Sequence, residues 1–153
     1  MTFVKIDSRD IIYQVESATP DTWLRVENLA NVTVNRAENE ETADTTDYDS
    51  EGAYEQDIMQ RGASMALAGQ ELKDDATGAL QPGRARVEEM AGEDKVGYAS
   101  SQGRVRFRHP LSQTWVIWRC TVSLGETGGA TNDKSAWAAT ITKCGRSTIA
   151  AVA

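Results

Sequence analysis

The stretch Glu38–Leu72, ENEETADTTDYDSEGAYEQDIMQRGASMALAGQEL, changes character halfway along its length. Between Glu38 and Asp57 it carries nine carboxylates and no lysine or arginine. From Gly62 to Gly69 it becomes a run of small residues in which Ala63, Met65 and Leu67 alternate with Ser64, Ala66 and Ala68. That alternation predicts a strand, and small side chains let another backbone or another subunit come close. The acidic part has few aliphatic side chains to bury, so it is not expected to fold by itself. An unstructured segment of that length in a compact chain is usually functional or disordered. Something outside must order it, or it stays mobile.

The same stretch explains the charge of the chain. The formal net charge is −7, and the acidic segment holds nine of the 23 acids, which leaves 14 against 16 Lys and Arg elsewhere. A mildly basic body with an acidic arm suggests charge complementarity between copies, and the dominant basic patch of a nucleic-acid reader is missing. With 153 residues the chain is read as one domain, residues 1–153, of a size that buries roughly 70% of its unfolded surface. Four tryptophans and 40% hydrophobic residues are enough for a core. The start MTFVKIDSRD lacks an apolar leader segment, and no run approaches a membrane span, so synthesis in the cytoplasm and no membrane insertion are expected. Cys120 and Cys144 lack a CxxC context and are expected to be structural thiols.

Strands dominate the remainder. Ile11–Val15 reads as an edge strand, and Thr22–Arg36 follows the Pro20-Asp21 turn signal into the alternating Asn31–Asn35. Arg104–His109 sets Val105 and Phe107 against Arg104, Arg106 and Arg108. Gln113–Leu124 sets Val116, Trp118, Cys120, Val122 and Leu124 against Trp115, Ile117, Arg119 and Thr121. Ser135–Lys143 and the short Ser147–Val152 close the chain. One helix is predicted over residues 82–92, with Pro82 at its first position, Val87, Met90 and Ala91 on one face and Gly92 as cap. Arg84 and Glu88 are placed for a surface pair. The fold class that follows is mainly β (α+β), a β-sandwich or partly closed barrel with one flanking helix and a long acidic loop over residues 38–57.

Chemistry is hard to place on this chain. Asp47, Asp49, Glu51, Gly52 and Glu55 occupy positions of a calcium loop, but the bidentate acid it requires is replaced by Ile58. The single histidine, His109, has no nucleophile or phosphate-loop context, so no enzyme, no cofactor and no metal are expected. The Arg104, Arg106 and Arg108 face ranks first as a solvated strand face, second as a partner for the acidic loop of another copy. Nucleic acid ranks third, because no aromatics are interleaved along that face for stacking.

The run Glu40–Tyr54 resembles the long loop of the major tail tube proteins of tailed phages, especially those with long, non-contractile tails (siphophage type). Gln60–Gly69 is similar to the strand after that loop, and Asp74–Gly78, Pro82-Gly83 and Val87–Gly92 to its helix region. Asn132-Asp133 with Ser135–Ile141 is similar to the closing strand. The similarity runs in order over residues 28–148, and the arginine face and Trp115/Trp118 lie outside the pattern.

That resemblance implies a non-enzymatic virion protein of the phage tail, made in the host bacterial cytoplasm, that self-assembles into stacked hexameric rings. The resulting tube would be a conduit for DNA ejection, without sequence-specific binding of the DNA in its lumen. The inter-subunit loop would use Glu40, Glu41, Asp44, Asp47, Tyr48, Asp49, Glu51 and Tyr54. The inner-barrel strand would include Gly62, Ser64, Met65 and Leu67, and further partners would be tail-completion and tape-measure-type proteins. A lumen lined by Arg104, Arg106 and Arg108 would retain phosphates, so that face is expected to point away from the channel. The alternatives are another tail component with the same sandwich, such as a tail terminator or a contractile-type inner tube, and then a calcium-modulated binding module.

Overall fold

In the computed structural model, which describes residues 1–152, the strands in chain order begin with β1 (Ile12–Glu16), β2 (Trp23–Arg25), β3 (Leu29–Asn35), β4 (Glu41–Asp44) and β5 (Gln56–Gln60). They continue with β6 (Ser64–Gln70), β7 (Gln102–Arg108), β8 (Thr114–Leu124), β9 (Ala136–Lys143) and β10 (Thr148–Ala151), and the helix α1 (Pro82–Met90) lies between β6 and β7. Eight strands form one antiparallel sheet, seven of them in the order β2-β1-β7-β8-β9-β6-β3 and the eighth, β10, beside β8. The long β8 pairs along one edge with β7. Along the other it pairs with β10 through Thr114–Ile117 and with β9 through Cys120–Leu124. The two remaining strands, β4 and β5, pair only with each other.

Alternation along each strand decides which face is covered. Val15, Val105, Trp118, Cys120, Val122, Ala139, Ile141, Met65 and Leu67 are buried on one face. The sheet curls so that Tyr13, Val15 and Val105 face Met65, Leu67 and Ile141, with Val87 of α1 filling the remaining side. The edges do not hydrogen-bond to close a barrel, so the architecture is the expected mainly β, sandwich-like fold with one flanking helix.

The helix starts where predicted. Pro82 loses no hydrogen bond in the first turn, and the Gln81 side chain accepts from the Arg84 N–H at 3.0 Å while donating to the Arg25 carbonyl at 2.8 Å. Val87 and Met90 are buried beneath it, each worth about 2 kcal/mol of removed apolar surface. Gly83 sits against the Arg25 carbonyl so closely that any Cβ would overlap it.

Three local expectations change. The Ile11–Val15 run is an interior strand, since β1 is flanked by both β2 and β7. Arg84 is not on the surface beside Glu88: it is 2% exposed. Its guanidinium donates to the carbonyls of Glu27 at 3.2 Å, Asn28 at 2.6 Å and Gln70. It thereby ties the corner between β2 and β3 to the end of β6, and the helix becomes a clamp over two segments of the sheet. The third change concerns the acidic segment itself.

Candidate functional site

Residues 41–60 form a hairpin where an irregular loop is expected. β4 and β5 pair in the register Thr42↔Ile58, Ala43↔Asp57 and Asp44↔Gln56, with a bulge between Glu41 and Thr42. The reason is local hydrogen bonding, which needs no apolar side chains. Asp44 accepts from the Thr46 N–H at 2.9 Å, and this bond holds its carboxyl below the usual range. The Thr46 hydroxyl accepts from the Glu55 N–H at 2.9 Å across the hairpin. At the tip, Asp47 caps a 3-10 turn over Tyr48–Ser50, accepting from the Asp49 N–H at 3.0 Å while its own N–H donates to the Ser50 hydroxyl at 3.1 Å. Glu51 and Gly52, both at positive φ, reverse the chain.

The hairpin has backbone order but no core. None of residues 41–60 is buried, and Tyr48, Tyr54 and Met59 are 105%, 67% and 70% exposed. A two-stranded hairpin with nothing packed on it is only marginally stable in water. Asp44, Asp47, Asp49 and Glu51 line its outer half, while Glu41 and Glu40 lie at its root, where Arg61 meets Glu40 at 3.5 Å. Among the described residues no group of three or more His, Cys, Asp or Glu is disposed to hold a metal ion, and Ile58 lies in β5.

Gly62 forms the joint between hairpin and sheet, accepting from the Asn39 N–H at 3.4 Å. A Cβ there would come within 2.9 Å of the Asn39 side chain. In β6, Met65 and Leu67 point into the core of their own subunit, whereas Ser64, Ala66 and Ala68 face out. Both backbone edges of β6 are taken, by β3 and β9. Its outer face, with Ser64, Ala66 and Ala68, is the side of this strand that its own core leaves uncovered. Among the described residues, the sheet edges left without a partner strand are those of β2, β3 and β10.

The outer face of the sheet has two chemically distinct halves. On β3, β6, β9 and the end of β8 the paired rows read Thr33–Ala66–Thr140–Ser123 and Asn35–Ser64–Thr142–Thr121, flanked by Asn31–Ala68–Ala138. No charge interrupts them. On β1, β2, β7 and the start of β8 the face is built from arginine and tryptophan. Arg106 lies 4.4 Å from the Trp23 ring centre and 4.0 Å from that of Trp115, and Arg108 lies 4.9 Å from Trp115. Arg104 binds Glu16 and lies 3.0 Å from Asp21.

The premise that no aromatics accompany the arginines is therefore corrected. Trp23 and Trp115 reach the face from other strands, a juxtaposition set by the β1–β2, β1–β7 and β7–β8 registers and invisible along β7 alone. Their rings are engaged by the guanidinium groups, and Trp115 is 7% exposed. The arginines roof a second small apolar patch on this side of the sheet. Cys120 and Cys144 are free thiols, and burial pushes the Cys120 thiol up to about 12.

Solved structures share this architecture at low sequence identity. The chain matches one in the virion of a native gene transfer agent particle with a TM-score of 0.67 at 17% identity, covering 96% of this chain and all of that one. A chain in the six-fold symmetric tail of an empty gene transfer agent particle gives 0.67 at 19%, covering 97% of this chain and 100% of that one. A chain of the six-fold symmetrised baseplate of the anti-feeding prophage gives 0.59 at 7%, covering 99% of each. The shared property is the fold. No protein-family model matches the sequence, and no curated protein matches it. No helix among the described residues is long and apolar enough to cross a membrane.

Proposed function

We propose that this chain is a structural, non-enzymatic subunit of a phage-like tail, which self-assembles into stacked hexameric rings and builds the tube through which DNA leaves the particle. The observation that carries the reading is the acidic hairpin. It is ordered in backbone, has no buried residue, and projects from a fold shared with chains of a six-fold symmetric tail. A projecting element without a core gains its packing from a neighbour, and ordering it on contact keeps free subunits apart until a surface is supplied. Open edges at β2 and β3 give adjacent copies backbone groups to pair.

A conduit for DNA needs a wall that does not hold phosphates. The uncharged rows on β3, β6 and β9 suit that wall, since neutral hydroxyl, amide and methyl groups release no counterions. The half bearing Arg104, Arg106 and Arg108 then faces away from the bore. A long, non-contractile tube is the specific form favoured by the resemblance of residues 28–148. Tail-completion and tape-measure-type proteins would meet its ends. The likeness to a baseplate chain supports one alternative, a ring component at the end of such a tail. Negative-stain imaging of concentrated protein tests the proposal: hollow rods are expected, single rings would favour the alternative, and dispersed monomers at every concentration would remove both.

A further inference from the structure

At the root of the hairpin the sheet ends in an open groove between β5 and the turn from β9 into β10. Ile58, Met59, Arg61, Lys143 and Arg146 line it, together with small and neutral groups, and no acid does. Arg61 is 73% exposed in its side chain and has one ionic partner, Glu40 at 3.5 Å. Lys143 and Arg146 make no ion pair among the described residues. The Lys143 ammonium lies 5.9 Å from the Trp118 ring centre. Ile58 and Met59, 41% and 70% exposed, add apolar surface beside the three cations.

We infer that this groove receives the acidic hairpin of a second copy of the chain, a contact that rests on the self-assembly reading above. Charge complementarity selects the occupant. The outer hairpin presents Asp44, Asp47, Asp49, Glu51 and Glu55 with no basic residue among them, and opposed patches of this kind set register and speed encounter. The arginine face of β7 is the weaker receptor, because Arg104 is already neutralised by Glu16 and Asp21, and Arg106 is stacked between two tryptophans. Tyr48 and Tyr54, exposed at the far end of the hairpin, supply aromatic anchors for the Ile58 and Met59 surface.

The hairpin cannot fill its own groove. The ladder of β4 and β5 holds it extended, and with a strand rise of about 3.3 Å per residue the tip stands on the order of 20 Å from the root. Each copy therefore offers one tip and one groove to different neighbours. Such a heterologous contact propagates into a ring or an open stack and does not stop at a dimer.

Two charge reversals test the inference on the full chain. Arg61→Glu/Arg146→Glu changes exposed groove residues. Asp49→Lys/Glu55→Lys changes hairpin side chains that make no hydrogen bond of their own within the hairpin. Each double variant should stay folded by circular dichroism and need at least about tenfold more protein to assemble in sedimentation and negative-stain assays. Mixed in equal amounts, the two should assemble together, since each reversed surface then meets its opposite, and this recovery also shows that both variants fold. The inference is overturned if the groove variant assembles like the wild type, or if the mixture stays dispersed. If groove reversal spares assembly but abolishes retention of DNA on the assembled protein, the groove belongs to phosphate and the inference is likewise overturned. Wild-type protein that never assembles would overturn the assembly reading and this contact with it, an outcome distinct from failure of the groove alone.

Discussion

The Arg84 guanidinium lies 4.7 Å from the centre of the Trp137 ring, at the point where the helix meets the sheet. Burial holds its pKa below the usual range, and three backbone carbonyls depend on it for hydrogen bonds. Replacing it with Leu removes that donor from all three acceptors at a partly buried corner. Arg84→Leu should cost about 3 kcal/mol, read as a fall in the urea midpoint, and Arg86→Leu should cost clearly less. Equal effects would mean that the clamp is not what holds the β2–β3 corner to β6.

The Trp23–Arg106–Trp115 stack makes a second prediction. Stacking of a desolvated guanidinium on aromatic rings contributes roughly 1–2 kcal/mol. A double-mutant cycle of Arg106→Ala and Trp115→Ala should therefore show a coupling energy of about 1 kcal/mol in chemical denaturation. Coupling near zero would return Arg106 to an ordinary solvated position.

Much of this architecture is legible from the chain because its strands are half-buried. The faces of Val105/Phe107 and of Val116, Trp118, Cys120 and Val122 follow from alternation, and α1 from Pro82 and the spacing of Val87 and Met90. What stays hidden depends on contacts between distant segments. The Trp23–Arg106 contact needs the β1–β2 and β1–β7 registers. The burial of Arg84 needs carbonyls more than ten residues away, and an arginine there reads locally as a helix surface residue. The hairpin is missed for a different reason. Its order comes from the turn bonds of Asp44, Thr46 and Asp47, whereas hydrophobic patterning registers only segments that bury side chains.

Acid should release the Arg104 anchor. The hydrogen bond from Arg104 holds the Glu16 carboxyl below its ordinary value of 4.5, while Arg104 is itself raised by Glu16. A carboxyl depressed in the folded state stabilises fully above its unfolded value, and that contribution fades as pH falls through the folded value. Wild-type stability should therefore drop below about pH 4.5 more steeply than that of Glu16→Gln, measured by denaturation midpoints across the acid range. Parallel acid limbs would show that the pair adds no pH-dependent stability.

Removing Asp44–Tyr54 separates folding from assembly more directly than any point change. The deleted residues bury no side chain and pair with no strand of the eight-stranded sheet, so the core of Met65, Leu67, Trp118 and Ile141 is left intact. Thermal unfolding should shift by no more than a few degrees, since surface changes away from buried contacts usually stay within about 0.5 kcal/mol. On the proposed assembly, polymerisation should in contrast be lost, with the protein sedimenting as a monomer at concentrations where the wild type is expected to form rods. If the deleted chain unfolds, the hairpin is part of the fold. If it still builds rods, the sheet edges alone make the tube and the hairpin does something else.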